Sequence, residues 1–160
     1  MDVCGIDFST KAIDVVRLSI DSDEATWRCL ELDAGKGDAL ERCRLIRGVM
    51  PARGTWKDEG VLGVALERPA GASRIGVAQL MRVQGAILAC LPRGLLVTEL
   101  HPAEWKQRSV GRGNASKEDV ARWAFERWQA AGVSQDAYDA YCMAWALRSM
   151  IAEERGAAVA

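Results

Sequence analysis

The chain has 160 residues, enough for one domain with a substantial core, and its 49% apolar and 27% charged content is that of an ordinary globular protein. With 21 basic and 22 acidic side chains the net charge is −1, so a polyanionic partner would have to be met by local positive charge or by bound cations. No apolar run is long enough to predict a membrane span, and the N-terminus lacks a basic segment leading into an apolar one, which argues against a signal peptide.

Residues 2–9 and 12–20 read as strands rich in Val, Ile and Leu, with Ser9-Thr10-Lys11 short enough for a hairpin, and 26–32 reads as a third strand. Leu40, Cys43, Leu45, Ile46 and Val49 fall at near-helical spacing within 37–50, closed by Pro51, and 52–60 reads as a loop. A fourth strand over 61–67 ends on Glu67, and 68–73 breaks it. A helix is predicted over 73–91, stopped by Pro92, followed by a fifth strand over 94–100, a short helix over 102–108 and a glycine-rich loop over 110–116. Ser116, with Asp119 three residues on, reads as the cap of a helix that Gly132 ends, and Ser134 opens the last helix. Hairpin-linked strands followed by alternating helices and strands predict an α/β domain with a mixed five-stranded sheet flanked by helices, spanning 1–155, with a short tail at 156–160.

The five cysteines, Cys4, Cys29, Cys43, Cys90 and Cys142, are scattered and form no CxxC pair, which predicts reduced thiols in a cytoplasm and argues against zinc. His101 is the only histidine and reads as structural.

Acidic residues occupy four telling positions. Asp7 interrupts the first apolar strand, Glu67 ends the fourth, and Asp136 and Asp139 lie three apart on one face near the start of the last helix, where the helix dipole favours anions. If the two strands are neighbours and the helix packs over them, four carboxylates meet, and such a cluster repels itself unless cations neutralise it. Hard oxygen donors with almost no histidine suit Mg²⁺ or Mn²⁺. Two such ions roughly 3.5–4 Å apart are the arrangement that activates water and stabilises the leaving oxygen in phosphodiester cleavage.

The spacing of Asp7, Glu67 and the Asp136/Asp139 pair resembles that of the RuvC-type Holliday junction resolvases of the RNase H-like nuclease superfamily. A second block, "EWKQRSVGRGNASKEDV" at 104–120, resembles the family's pattern through Lys106, Val110, Gly111, Gly113, Ala115, Lys117 and Val120, and "SQDAYDAYCMAWAL" at 134–147 resembles the opening of its last helix. The likeness runs in order from residue 3 to about 148. It implies an RNase H-like fold and a metal-dependent endonuclease acting as a homodimer on four-way or other branched DNA, leaving a 5′-phosphate and a 3′-hydroxyl. By that likeness Asp7 would bridge two Mg²⁺ (or Mn²⁺) ions, Glu67, Asp136 and Asp139 would complete the ligands, and Lys117 would offset transition-state charge. Lys106, Arg108, Arg112 and Lys117, with Arg68 and Arg74 around the loop after Glu67, gather the positive charge for phosphate contacts, and Gly111 and Gly113 would let backbone approach a phosphate.

Two departures stand out. Phe8-Ser9-Thr10 replaces the Pro-Gly that follows the first Asp in better-known members, and 68–73 carries no aromatic wedge to unstack a junction. Trp105, Trp123 and Trp128 are candidates to stack on bases instead, although helical aromatics are more often core. Apolar residues spread around most of the 73–91 helix, from Ile75 and Met81 to Val83 and Ile87, point to a two-fold dimer mate. Two rivals remain open at this level: another RNase H-like nuclease acting on flaps, forks or RNA–DNA hybrid, and a catalytically silent DNA-binding module; a third, an actin-like ATPase, whose first phosphate hairpin "GIDFSTKAIDVVRLS" also resembles, is set aside. The last would need a second lobe and a further phosphate loop; no P-loop is present, so no nucleotide cofactor is expected.

Overall fold

A computed structural model describes residues 1–32, 39–69 and 74–157. Three antiparallel strands, β1 (Asp2–Phe8), β2 (Ala12–Ser19) and β3 (Ala25–Glu31), form a meander, and β4 (Val61–Glu67) and β5 (Leu96–Leu100) extend the sheet in parallel from the other edge of β1. The order is β3-β2-β1-β4-β5, so the strands that end in Asp7-Phe8 and Glu67 lie side by side at the centre. The predicted mixed five-stranded α/β sheet is the one found.

Helices cover both faces. On one side, α1 (Ala39–Val49), α2 (Arg53–Asp58) and α3 (Arg74–Cys90) cover a core built on Ile6, Ile13, Val64 and Leu66. On the other, α4 (Pro102–Ser109), α5 (Lys117–Trp128) and the 23-residue α6 (Gln135–Ala157) cover Val3, Val16, Leu18 and Ala65. The alternation of β1 sets this division: even positions face α1 and α3, odd positions face α6.

One contact fixes how close α6 lies. A Cβ on Gly5 would sit 1.8 Å from the Ala140 carbonyl oxygen and 2.8 Å from the Ala144 nitrogen, so the helix backbone rests directly on the strand. Alanines 137, 140 and 144 are fully buried along α6 and keep side chains from holding the two apart.

Three boundaries differ from expectation. Residues 52–60 contain α2 rather than only loop: the helix is six residues long and lacks a side-chain cap, so it leaves no periodic signal, and burial of Trp56 holds it. α5 stops at Trp128 because Gln129 takes the left-handed conformation usually given to glycine, closing the helix four residues before Gly132. β5 begins at Leu96. The predicted helix start at 37–38, most of the break at 68–73, the first residue of the 73–91 helix and the last three of the tail lie outside the described residues.

Candidate active site

Strand parity alone brings Asp7 and Glu67 to one place. Val3 and Gly5 face α6, so Asp7, two residues on, faces it too; Gly63 and Ala65 do the same for Glu67 in β4. The parallel register pairs Ile6 with Leu66, which sets the two carboxylates beside each other at the C-terminal ends of the central strands. Over those ends lies the start of α6, carrying Asp136 and Asp139, both half-buried. The last helix can reach this position because Gly5 admits its backbone.

The four charges share one neighbourhood. Burial pushes the Asp7 carboxyl from its ordinary 3.8 up to about 8; Asp139, Asp136 and Glu67 add to the rise, and the Phe8 backbone N–H, 2.9 Å from Oδ1, opposes it. Asp139 rises to about 6, chiefly through burial; the Gln135 amide, donating at 3.0 Å, and the Lys117 ammonium hold it down, against Glu67 and Asp136. Lys117 therefore stands near Asp139, exposed at the first position of α5. Its backbone is fixed by a full capping box between Ser116 and Asp119, which makes the weak capping signal in the sequence a complete one.

Among the described residues no three Asp, Glu, His or Cys side chains close into a ready-made metal geometry. Each of three carboxylates is turned to a protein donor: Asp7 to Phe8 N–H, Glu67 to Trp105, and Asp139 to Gln135. The donor set is carboxylate oxygen throughout, which fits a hard divalent cation, and burial with mutual repulsion is what raises Asp7 and Asp139, a cost that a cation among them would reduce.

A pH dependence follows. In the unfolded chain these aspartates ionise near their ordinary value; folded, they hold their protons longer. From about pH 4 to about pH 8 the folded state binds more protons, so stability in chelator should fall as pH rises through that window. Thermal melts in EDTA near pH 5 and near pH 8 should show the drop, and Mg²⁺ at the higher pH should recover part of it. A flat profile would mean that these aspartates are neither buried nor crowded as described.

Trp105 answers a different need from the one expected of it. It is 1% exposed, and its indole N–H donates to Glu67 Oε2 at 3.0 Å, so it orients a site carboxylate and cannot stack on a base. Trp123 and Trp128 pack among Tyr138, Tyr141 and Trp145 between α5 and α6, with Trp128 stacked on Tyr141 at 5.2 Å, and Arg127 lies over the Trp123 ring. These are packing aromatics. Trp105→Phe removes the donor to Glu67 and should weaken Mn²⁺ binding by about 10–100-fold while far-UV circular dichroism is retained. Unchanged affinity would deny Trp105 that role.

The basic residues divide into two groups. Lys106 donates to the Ala115 carbonyl at 3.0 Å, Arg108 bridges to Glu153 at 3.0 Å and Arg112 to Asp119 at 2.5 Å. Arg68 and Arg74 are exposed and have no ion-pair partner among the described residues. Gly113 also has an internal reason to be glycine: a Cβ there would lie 2.9 Å from the Ala103 carbonyl oxygen, so it serves the packing of the loop on α4. His101 caps α4, its ring accepting from the Ala103 N–H. All five cysteines are free thiols.

The sheet order and the placement of helices on its two faces match the RNase H-like fold of solved RuvC structures. No protein-family model matches the sequence, and no curated protein matches it either. Solved structures do match. The RuvC of T. thermophilus in complex with a Holliday junction substrate superposes with a TM-score of 0.75 at 20% identity, covering 91% of this chain and 92% of that one. A second Thermus thermophilus RuvC structure gives 0.69 at 21% identity, with the same coverage.

Proposed function

We propose that this chain is a divalent-metal-dependent endonuclease that cuts branched DNA, four-way junctions foremost, leaving a 5′-phosphate and a 3′-hydroxyl. The observation that carries the reading is the gathering of Asp7, Glu67, Asp136 and Asp139 on one sheet face beside the Lys117 ammonium. Support comes also from the fold it shares with a protein whose solved complex contains a Holliday junction.

Asp7, Glu67, Asp136 and Asp139 would hold two Mg²⁺ or Mn²⁺ ions, which when bound supply the positive charge that lowers the cost of deprotonating water and of charge building on the phosphate. The chain's own residues do the rest. Trp105 and Gln135 hold one oxygen each of Glu67 and Asp139, limiting how these carboxylates turn. Lys117, fixed at its backbone by the capping box, is exposed and makes no ion pair among the described residues, so its ammonium can meet a non-bridging phosphate oxygen as charge develops there. Arg68 and Arg74 offer further phosphate contacts, and the exposed Arg112 pair can exchange its carboxylate for a phosphate at little cost.

A homodimer through α3 belongs to the same reading, because a four-way junction presents two equivalent strands. Val83, Gln84 and Ile87 are buried within the chain, whereas Ile75 and Met81 are 74% and 58% exposed. Sedimentation at micromolar concentration should give a dimer; a strict monomer there removes this element. Free thiols and a DNA substrate suit the cytoplasm. Among the described residues no helix is long and apolar enough to cross a membrane.

The test is a panel of four-way junction, fork, flap, RNA–DNA hybrid and plain duplex with Mg²⁺, with Glu67→Gln as control. Paired symmetric nicks on the junction alone are expected. Cutting of every branched form would widen the substrate class, and cutting of none would leave a binding role.

A further inference from the structure

A fifth carboxylate lies on the same sheet face. Asp14 is 3% exposed and sits directly across from Asp7 in the antiparallel β1/β2 pair. No cation pairs with it among the described residues. Its Oδ1 accepts from the Trp27 indole N–H at 2.8 Å and from the Ser134 hydroxyl at 2.9 Å, and the Cys29 thiol lies 3.9 Å from Oδ2. A buried carboxylate with no counter-ion costs free energy that neutral donors only partly return. Such a residue in the middle of β2 calls for a reason beyond stability.

Ser134 supplies one. It immediately precedes α6, and its Oγ accepts from the Ala137 N–H at 3.0 Å, capping the first turn. A hydroxyl has a single hydrogen: once that is committed to Asp14, its lone pairs are left facing the helix amide. The chain of contacts runs from Asp14 on β2 through Ser134 to Ala137, and the turn it fastens carries Asp136 and leads directly into the turn that carries Asp139. We infer that Asp14 is a positioning residue, tethering the start of α6 to the sheet so that Asp136 and Asp139 are held opposite Asp7 and Glu67. This rests on the metal-site reading above and adds to it a residue that touches neither metal nor DNA.

The experiment compares the full chain with Asp14→Ala, Asp14→Asn, Ser134→Ala and the Asp14→Ala/Ser134→Ala double variant. Amide hydrogen exchange at Ala137 in chelator reports the tether without metal; Mn²⁺ titration followed by electron paramagnetic resonance reports its consequence. In Asp14→Ala and in Ser134→Ala the Ala137 amide should exchange faster and Mn²⁺ should bind about 10–100-fold more weakly. The double variant should be little worse than either single, since both break one chain. Asp14→Asn keeps an oxygen acceptor and should retain the slow amide and most of the affinity.

Unchanged exchange at Ala137 in both single alanine variants would overturn the tether. Faster exchange with unchanged Mn²⁺ binding would overturn its role in the site. Asn as damaging to affinity as Ala, with the amide still slow, would mean that Asp14 acts through charge, and would likewise overturn it. A parent chain that binds no Mn²⁺ would overturn the metal site and the role of Asp14 with it, and the exchange data would still tell that failure apart from the absence of a tether.

Discussion

Gly5→Ala should cost this protein at least about 3 kcal/mol and lower its melting temperature by roughly 10 °C, at the upper end of what overpacking does in a chain of this size. The added methyl would meet the Ala140 carbonyl oxygen at 1.8 Å and the Ala144 nitrogen at 2.8 Å. Both are backbone atoms of α6, so no rotamer change relieves the clash and trimming Ala140 or Ala144 to glycine does not rescue it. The helix itself has to move off the strand. Because that helix carries Asp136 and Asp139, its displacement by about 1 Å should also reduce cleavage by the order of 10²-fold in whatever protein still folds. Gly85 in α3 is the matched control: nothing lies within 4 Å of a Cβ placed there, and alanine at this helix-interior position should raise stability by about 0.4–1 kcal/mol. Differential scanning calorimetry of the two variants decides the matter, and a Gly5→Ala protein melting within a degree or two of the parent would mean that α6 does not rest on β1 as described.

The same contact shows what the sequence could reveal and what it could not. Asp7 and Glu67 were legible because each interrupts or ends an apolar strand, and strand periodicity carries a residue's face along with its position. Asp136 and Asp139 were legible because a spacing of three places two side chains on one side of a helix. The reason these four meet was not legible: it depends on Gly5 admitting a helix backbone from 135 residues further along the chain, and a lone glycine in a strand says only that something comes close. The burial of Trp105 was the more common outcome for a helical aromatic, but its partner was not legible: its donor finds Glu67 across the β4–α4 junction, a pairing with no local signature.

Asp14 did leave a signal. In "AIDVVRLS" it has the parity of Val16 and Leu18, both fully buried, so alternation alone points a carboxylate into the core. That reading needs the buried face of β2 to be chosen correctly, and once it is, the acid demands donors. α2 left none, since six residues are too few for a helical period, and the end of α5 was hidden because Gln129 does what glycine ordinarily does.

Asp7→Asn separates chemistry from architecture more cleanly than any other substitution, because cleavage and stability should move in opposite directions. Cleavage should fall by about 10³-fold or more, equivalent to some 4 kcal/mol of transition-state stabilisation, since the central carboxylate of the proposed metal site is lost. Stability in chelator at neutral pH should rise by roughly 1–3 kcal/mol once solvent screening has taken its share, because the most strongly perturbed of the mutually repelling acids is removed. The decline in stability between about pH 4 and about pH 8 should flatten accordingly. The Phe8 N–H keeps an oxygen to donate to, as the asparagine side chain retains one, so the strand end has no reason to rearrange. Binding of a four-way junction in EDTA should be unchanged near neutral pH, and tighter only where the parent Asp7 is ionised, since the amide carries no charge toward phosphate at any pH. A residue needed only for folding would lose stability and activity together, and a solvated surface acid would change neither. An Asp7→Asn protein that cleaves at the parent rate, or that melts well below the parent in chelator, would place the chemistry of this chain somewhere other than the four-carboxylate face.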